Sequence, residues 1–320
     1  MVTKRSSNKG FSTAVFTAII AILFICSIAI AQEREGGRRM LTFTEFLLFP
    51  RVWLSVLVGL GGGIILCFCK IKSWLRMTLL ALVFILFAIL PVFNEIPFFA
   101  RLAPHPSPLC AFAKPIMFSI EMQQFILPSV FAGVLTVIAL LSIVGNKLFC
   151  GWVCPIGALQ EIFYLLPHRR KRFRFAFYAV NSVRFGLLLI FIPLLINFGV
   201  YIYGYFNPFE ILHWPFDTDF WALYAWAVII IVILFSLISY RPFCHIVCPI
   251  GAVTWLLEHI SFMRIRLRKD KCNNCHLCIK VSPCCGLKSI VEGKRIRPDC
   301  YACGKCIAAC PTRALDFSIK

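Results

Sequence analysis

The sequence predicts an α-helical integral membrane protein of about six transmembrane helices, with an internal hairpin repeat and a small α+β domain at its C-terminus. Three observations predict it. The 320-residue chain is 60% hydrophobic and only 15% charged, with a mean hydropathy of +0.85, a balance that soluble globular chains do not sustain. A ten-residue block recurs at an offset of 94, and a cysteine-rich pattern occurs twice between Cys272 and Cys310. The expected divisions are an N-terminal anchor and interfacial segment (1–51), a transmembrane domain (52–260) and a C-terminal domain (261–320).

Charge and cysteine content exclude two classes. The net charge of +19 would suit nucleic acid, but the basic residues sit in short loops beside apolar spans, not on an aromatic-interleaved face. They are topology signals and lipid contacts, and no nucleic acid is expected. The 17 cysteines are an odd number in motifs that must stay reduced to bind iron, which argues against a secreted disulfide framework.

Residues 1–10 are polar and basic, and 11–31 form an apolar run ending Ala29-Ile30-Ala31. A signal peptide cleaved after Ala31 fits the small-residue ending; a retained anchor fits the length, about 20 residues, and is favoured. Residues 32–51 carry Arg34, Arg38, Arg39 and Arg51 around an apolar stretch suited to the outer interface. Further spans are expected near 52–69, 77–93, 124–145, 185–203 and 221–239. With both termini cytoplasmic, 27 Lys and Arg fall inside and 6 outside, so the positive-inside rule places the C-terminal domain in the cytoplasm, against an inner membrane crossed several times.

Within this frame, the basic run His168 to Arg174 reads as a topology anchor, and Gly61-Gly62-Gly63 as a site of close helix packing. His105, His213 and His245 lack the paired spacing of haem ligands and read as hydrogen-bonded or interfacial residues.

The repeat is F-C-G-W-V-C-P-I-G-A at 149–158 and F-C-H-I-V-C-P-I-G-A at 243–252. Each copy follows a span and leads into an amphipathic stretch, 156–166 or 250–260, so two like-oriented hairpins would be related by a pseudo-two-fold axis along the membrane normal. Proline after the second cysteine fits a first helical turn and pushes the preceding residue out of helical geometry. Cys154 and Cys248 should therefore be helix N-caps, where free N–H groups favour a thiolate. Symmetry could gather Cys150, Cys154, Cys244 and Cys248 into a site for a further iron-sulfur cluster, or they could be two redox-active dithiols; buried structural cysteines are the bland alternative. Cys67 and Cys69, at the inner end of a span, could approach them.

The C-terminal pattern is C-N-N-C-H-L-C followed by Cys284-Cys285, then C-Y-A-C-G-K-C-I-A-A-C-P. Two such runs make a ferredoxin with two 4Fe-4S clusters, each taking three thiolates from one run and the fourth from the other. Cys272, Cys275, Cys278 and Cys310 would hold one cluster. Cys300, Cys303 and Cys306 would hold the other, with Cys285 favoured by aligning C-G-L-K-S-I with C-P-T-R-A-L, and Cys284 the alternative. A four-cysteine zinc module is the competing reading, but zinc needs neither a third cysteine in each run nor the proline.

The duplicated C-P-I-G-A motif with the paired C-terminal runs resembles the NapH/NosR-type membrane ferredoxins, or polyferredoxins, from about residue 50 onward. The resemblance implies a multispan protein with two cytoplasmic 4Fe-4S clusters, relaying electrons between quinone-pool or cytoplasmic donors and a redox partner at the membrane. The chain departs from the pattern in having no Pro after Cys284 or Cys285, and it lacks the large flavin-binding domain of the NosR type, so NapH-like members are the closer comparison. It is thus expected to be an electron-transfer subunit, quinol-linked or not. The basic residues Lys269, Lys271, Lys280, Lys288, Lys294, Arg295 and Arg297 suit an acidic flavodoxin or ferredoxin, or anionic lipid. The alternative function is a thiol-redox or metal-centre assembly factor.

Overall fold

The computed structural model describes residues 49–319 except 94, 104–105, 125–127, 167–171, 200, 206, 210–211, 213–219, 285 and 295–298. The expected first span at 11–31, the Arg34 to Arg39 stretch, His105, His213 and Cys285 lie outside the described residues.

Among these residues, three helices are long and apolar enough to cross a membrane, Pro50–Phe68, Ser73–Val92 and Phe177–Phe198, and two shorter apolar helices cover Val130–Val144 and Leu223–Ile238. All five fall where spans are expected. We number the principal helices α1 (Pro50–Phe68), α2 (Ser73–Phe84, continued to Val92 by π and 3-10 turns), α3 (Pro108–Glu121), α4 (Ser129–Val144), α5 (Pro155–Leu165), α6 (Phe177–Phe198), α7 (Phe220–Ile238) and α8 (Pro249–Glu258). Proline opens α1, α3, α5 and α8, using a position whose missing N–H costs the helix nothing. Leu57, Ile64, Leu189, Ile190, Ile231 and Leu234 are exposed, the outward apolar face of helices whose solvent is lipid.

The glycines of α1 serve contact. A Cβ on Gly59 would stand 2.7 Å from the Leu141 side chain of α4, and one on Gly62 would overlap the Trp152 ring, whereas Gly61 faces open space. A Cβ on Gly63 would meet Leu148 at 3.2 Å, so the expected close packing is carried by Gly59, Gly62 and Gly63, one face of the helix at i, i+3 and i+4, and not by Gly61.

The C-terminal part holds strand β1 (Met263–Leu267), helices α9 (Leu277–Val281), α10 (Gly286–Val291) and α11 (Lys305–Ala309), and strand β2 (Leu315–Ile319). β1 and β2 pair antiparallel with Ile265 opposite Phe317, and both side chains are buried. They join one continuous core with Leu66 of α1, Leu141 of α4, Trp152 and Tyr301. The cysteine-bearing end therefore packs into the helical part and does not hang below it.

Four basic residues counted above as loop charges are interior. Arg76, Lys147, Arg184 and Arg241 are each at most 1% exposed, paired with just two carboxylates, Glu161 and Asp299. Without them the loop-charge bias keeps its direction.

Candidate metal centres

The two C-terminal runs share a backbone as well as a spacing. Asn274 and Ala302 have φ of 55° and 47°, and His276 and Gly304 have φ of 54° and 74°, at positions 28 residues apart. Left-handed residues between the cysteines turn successive N–H groups inward, a concavity suited to an anionic cluster. His276 and Gly304 then open α9 and α11, which carry Cys278 and Cys306.

Cys272, Cys275, Cys278 and Cys310 line one open-sided hollow. The other thiols gather beside it: Cys300 has Cys284 and Cys306 as electrostatic neighbours, and Cys306 has Cys303 and Cys284 ahead of Cys278 of the first run. Cys284 thus stands with the second run, its Sγ 3.3 Å from the Ser282 hydroxyl, and burial pushes its thiol up to about 11. Among the described residues no three candidate ligands converge closely enough to hold one bare ion; a cubane's thiolates stand further apart, since iron and sulfide lie between them.

The repeated motifs form a third group. Phe149–Val153 is a π turn, a local widening that recurs at functional sites, and Pro242–Ile246 is a single helical turn. Cys154 and Cys248 are the N-caps of α5 and α8 with nearly identical dihedrals, φ −66° with ψ 118° and 117°. Cys154 Sγ accepts from the Gly157 N–H at 3.5 Å. Cys154 has Cys244, Cys150 and Cys248 as neighbours, and Cys248 has Cys244 and Cys150, so the four thiols converge from both repeats. A Cβ on Gly157 would stand 2.6 Å from the Cys150 carbonyl oxygen, and one on Gly251 would stand 2.5 Å from that of Cys244. The same glycine thus lets each half close on itself.

The halves also clasp one another. Gln160 Nε2 donates to Cys244 Sγ at 3.3 Å, and Thr254, its counterpart 94 residues later, has its hydroxyl 3.9 Å from Cys150 Sγ. Arg241 donates to the carbonyls of Cys150 and Gly151, while Arg184 donates to that of Cys244 at 3.4 Å. Cys67 is a neighbour of Asp316 in β2, and Cys110 pairs with the Tyr201 hydroxyl at 3.9 Å.

The segment at 299–303 ties the third group to the second. Trp152 Nε1 donates to the Ala302 carbonyl at 3.0 Å, Lys147 N to that of Cys300 at 3.4 Å, and Cys300 N donates to Glu258 Oε2 at 3.3 Å. Asp299 accepts from Lys147 and, at 3.1 Å, from Arg184, and stands 3.1 Å from His245 Nδ1. Burial raises its pKa, yet Lys147, Arg184 and His245 hold it down at about 2. His245 is thus hydrogen-bonded, as expected. Glu161 accepts from Arg76 at 3.1 Å, Arg241 at 2.6 Å and the Tyr240 hydroxyl at 2.9 Å. Arg174, from the basic run, donates to the carbonyls of Ile279 and Lys280 in α9, so it grips the C-terminal part.

A family described as a 4Fe-4S binding domain matches residues 126–174 and 219–269, the two motif repeats and not the C-terminal runs. The chain is 29% identical over 196 residues to the ferredoxin-type protein NapH of Haemophilus influenzae, covering 59% of this chain and 68% of that one. It is 28% identical over 143 residues to the methylamine utilization ferredoxin-type protein MauN of Paracoccus denitrificans, 44% of this chain and 50% of that one. With the regulatory protein NosR of Stutzerimonas stutzeri it shares 29% identity over 175 residues, 51% of this chain but only 23% of NosR. No solved structure matches the chain.

Proposed function

We propose, from the premise that this chain is a ferredoxin of the NapH/NosR type, that it relays electrons between a quinone-pool or cytoplasmic donor and a redox partner at the membrane. The observation that carries this reading is the sorting of its cysteines into three groups, with 299–303 bonded to both the second and the third. We assign Cys272, Cys275, Cys278 and Cys310 to one 4Fe-4S cluster, and Cys300, Cys303, Cys306 and Cys284 to another. Cys284 has the neighbours that a fourth ligand would have, and Cys285, which the alignment of the two runs favours, lies outside the described residues. Cys150, Cys154, Cys244 and Cys248 would hold a further cluster. One-electron storage is the chemistry these groups supply when bound.

The chain's own residues set the spacing and exclude water. Cys150, Cys154 and Cys244 are 6–8% exposed, which favours ligation over dithiol exchange, because an exchanging thiol must meet its partner. The inner-side charge bias supports a multi-pass topology with both termini and the 261–320 domain cytoplasmic, 52–260 in the membrane and 1–51 as anchor. The basic residues around the C-terminal runs suit an acidic carrier or anionic lipid.

Iron and sulfide quantification with EPR on anaerobically prepared protein tests the assignment. About eight iron atoms would leave the C-terminal pair alone, and about twelve fit three cubanes. Cluster reduction by quinol in proteoliposomes, and its block by a quinone-site inhibitor, tests the donor.

A further inference from the structure

Tyr301 follows a proposed ligand of the second cluster, but its side chain belongs to the third group. It is 1% exposed. Its ring is held edge-on to His245 with centroids 5.1 Å apart, with the Arg241 guanidinium 4.9 Å and the Lys147 ammonium 5.2 Å from its centre. Its hydroxyl has no hydrogen-bond partner, while Cys244 and Cys150 are among its electrostatic neighbours. Folding does not strand a phenol in this way without cost, because a buried hydroxyl with no partner gives up its hydrogen bonds to water.

The surroundings say what kind of group would satisfy it. Gln160 donates to Cys244, and the guanidinium and ammonium near the ring add positive charge. An electron-rich, sulfur-bearing group suits this donor and these cations, since hydrogen bonds to thiolate and sulfide stabilise the more negative, reduced state. Resting on the reading that the four motif cysteines bind a cluster, we propose that Tyr301 donates its hydroxyl proton to a sulfur of that group, so that the C-terminal domain supplies a donor to the membrane site. Docking of 299–303 would then add to that site as well as bring the second cluster beside it.

The test is Tyr301→Phe in the full chain, purified anaerobically in detergent, with iron count and EPR-monitored redox titration of each centre. The variant removes only an unpaired hydroxyl, so folding and iron content should match the parent. The expected result is a third centre that is harder to reduce, its reduced-to-oxidised ratio at fixed potential falling about tenfold, equivalent to about 59 mV for one electron, with the two C-terminal clusters unmoved. A third centre with unchanged midpoint, or a shift confined to the Cys300 cluster, overturns the inference and leaves the cluster assignment standing. About eight iron atoms in the parent overturn both.

Discussion

Gln160 reaches out of its own repeat to hydrogen-bond Cys244 of the other at 3.3 Å, while its carboxamide oxygen accepts from the Phe243 N–H at 3.0 Å. One side chain thus fixes both the sulfur and the backbone of the second motif. Gln160→Ala would strand a buried N–H and remove the donor, at a cost of about 1–3 kcal/mol. Thr254→Val loses a hydroxyl whose nearer partner is its own Ile250 carbonyl at 2.8 Å, and should cost about 1 kcal/mol or less. Denaturant unfolding in detergent should rank them in that order. Equal losses would show that the clasp is not what holds the motifs together.

Cysteine variants decide the fourth ligand of the second cluster. Cys284 lies among Cys300, Cys303 and Cys306, so Cys284→Ala should remove about four iron atoms, one cubane, while Cys285→Ala keeps them. Iron analysis with the EPR signature of each cluster reads the outcome, and the reverse pattern would restore the sequence alignment's preference.

That ambiguity marks where sequence reading ends. The cysteine runs and the duplicated motif are legible because ligation and helix capping dictate spacing and the proline, and the apolar spans because lipid dictates length. The order of Cys284 and Cys285 is not, since the first copy carries a longer gap and Pro283 redirects the chain before the ligand. The buried carboxylates are harder still: Asp299 and Glu161 look like isolated acids, and their partners Arg76, Lys147, Arg184 and Arg241 look like loop charges until the fold gathers them. One signal was available. The 94-residue offset aligns Lys147 with Arg241 and Gln160 with Thr254, positions that a hydropathy reading passes over.

Asp299 offers a test with a pH signature. Asp299→Ala would leave Lys147 and Arg184 buried without their carboxylate, a loss of about 3–5 kcal/mol. In the parent, the folded pKa near 2 lies below the unfolded value of about 3.9. The unfolded chain therefore takes up the proton first, and the stabilisation, complete above about pH 4, falls away as the pH drops towards 2. Asp299→Asn should be less stable at neutral pH and lose this acid dependence. Unfolding of cluster-free protein, followed by tryptophan fluorescence from pH 7 to 2, separates the two, and parallel curves would mean that Asp299 is not held as an ion.

Gly151 tests the seam between the motif and the C-terminal run. A Cβ there would run into the carbonyl oxygen of Tyr301. The obstacle is backbone, held in place by the Trp152 bond to Ala302 and the Lys147 bond to Cys300, so it cannot turn aside as a side-chain tip would. Gly151→Ala should push 299–303 off the helical part, leaving Asp299 and its cations apart and the 261–320 segment open to protease. Gly61→Ala is the matched control: its Cβ meets nothing, and alanine is the better helix former by up to about 1 kcal/mol. Limited proteolysis of both variants in the same detergent reads the difference. A C-terminal segment as resistant in Gly151→Ala as in Gly61→Ala would mean that the seam yields without separating.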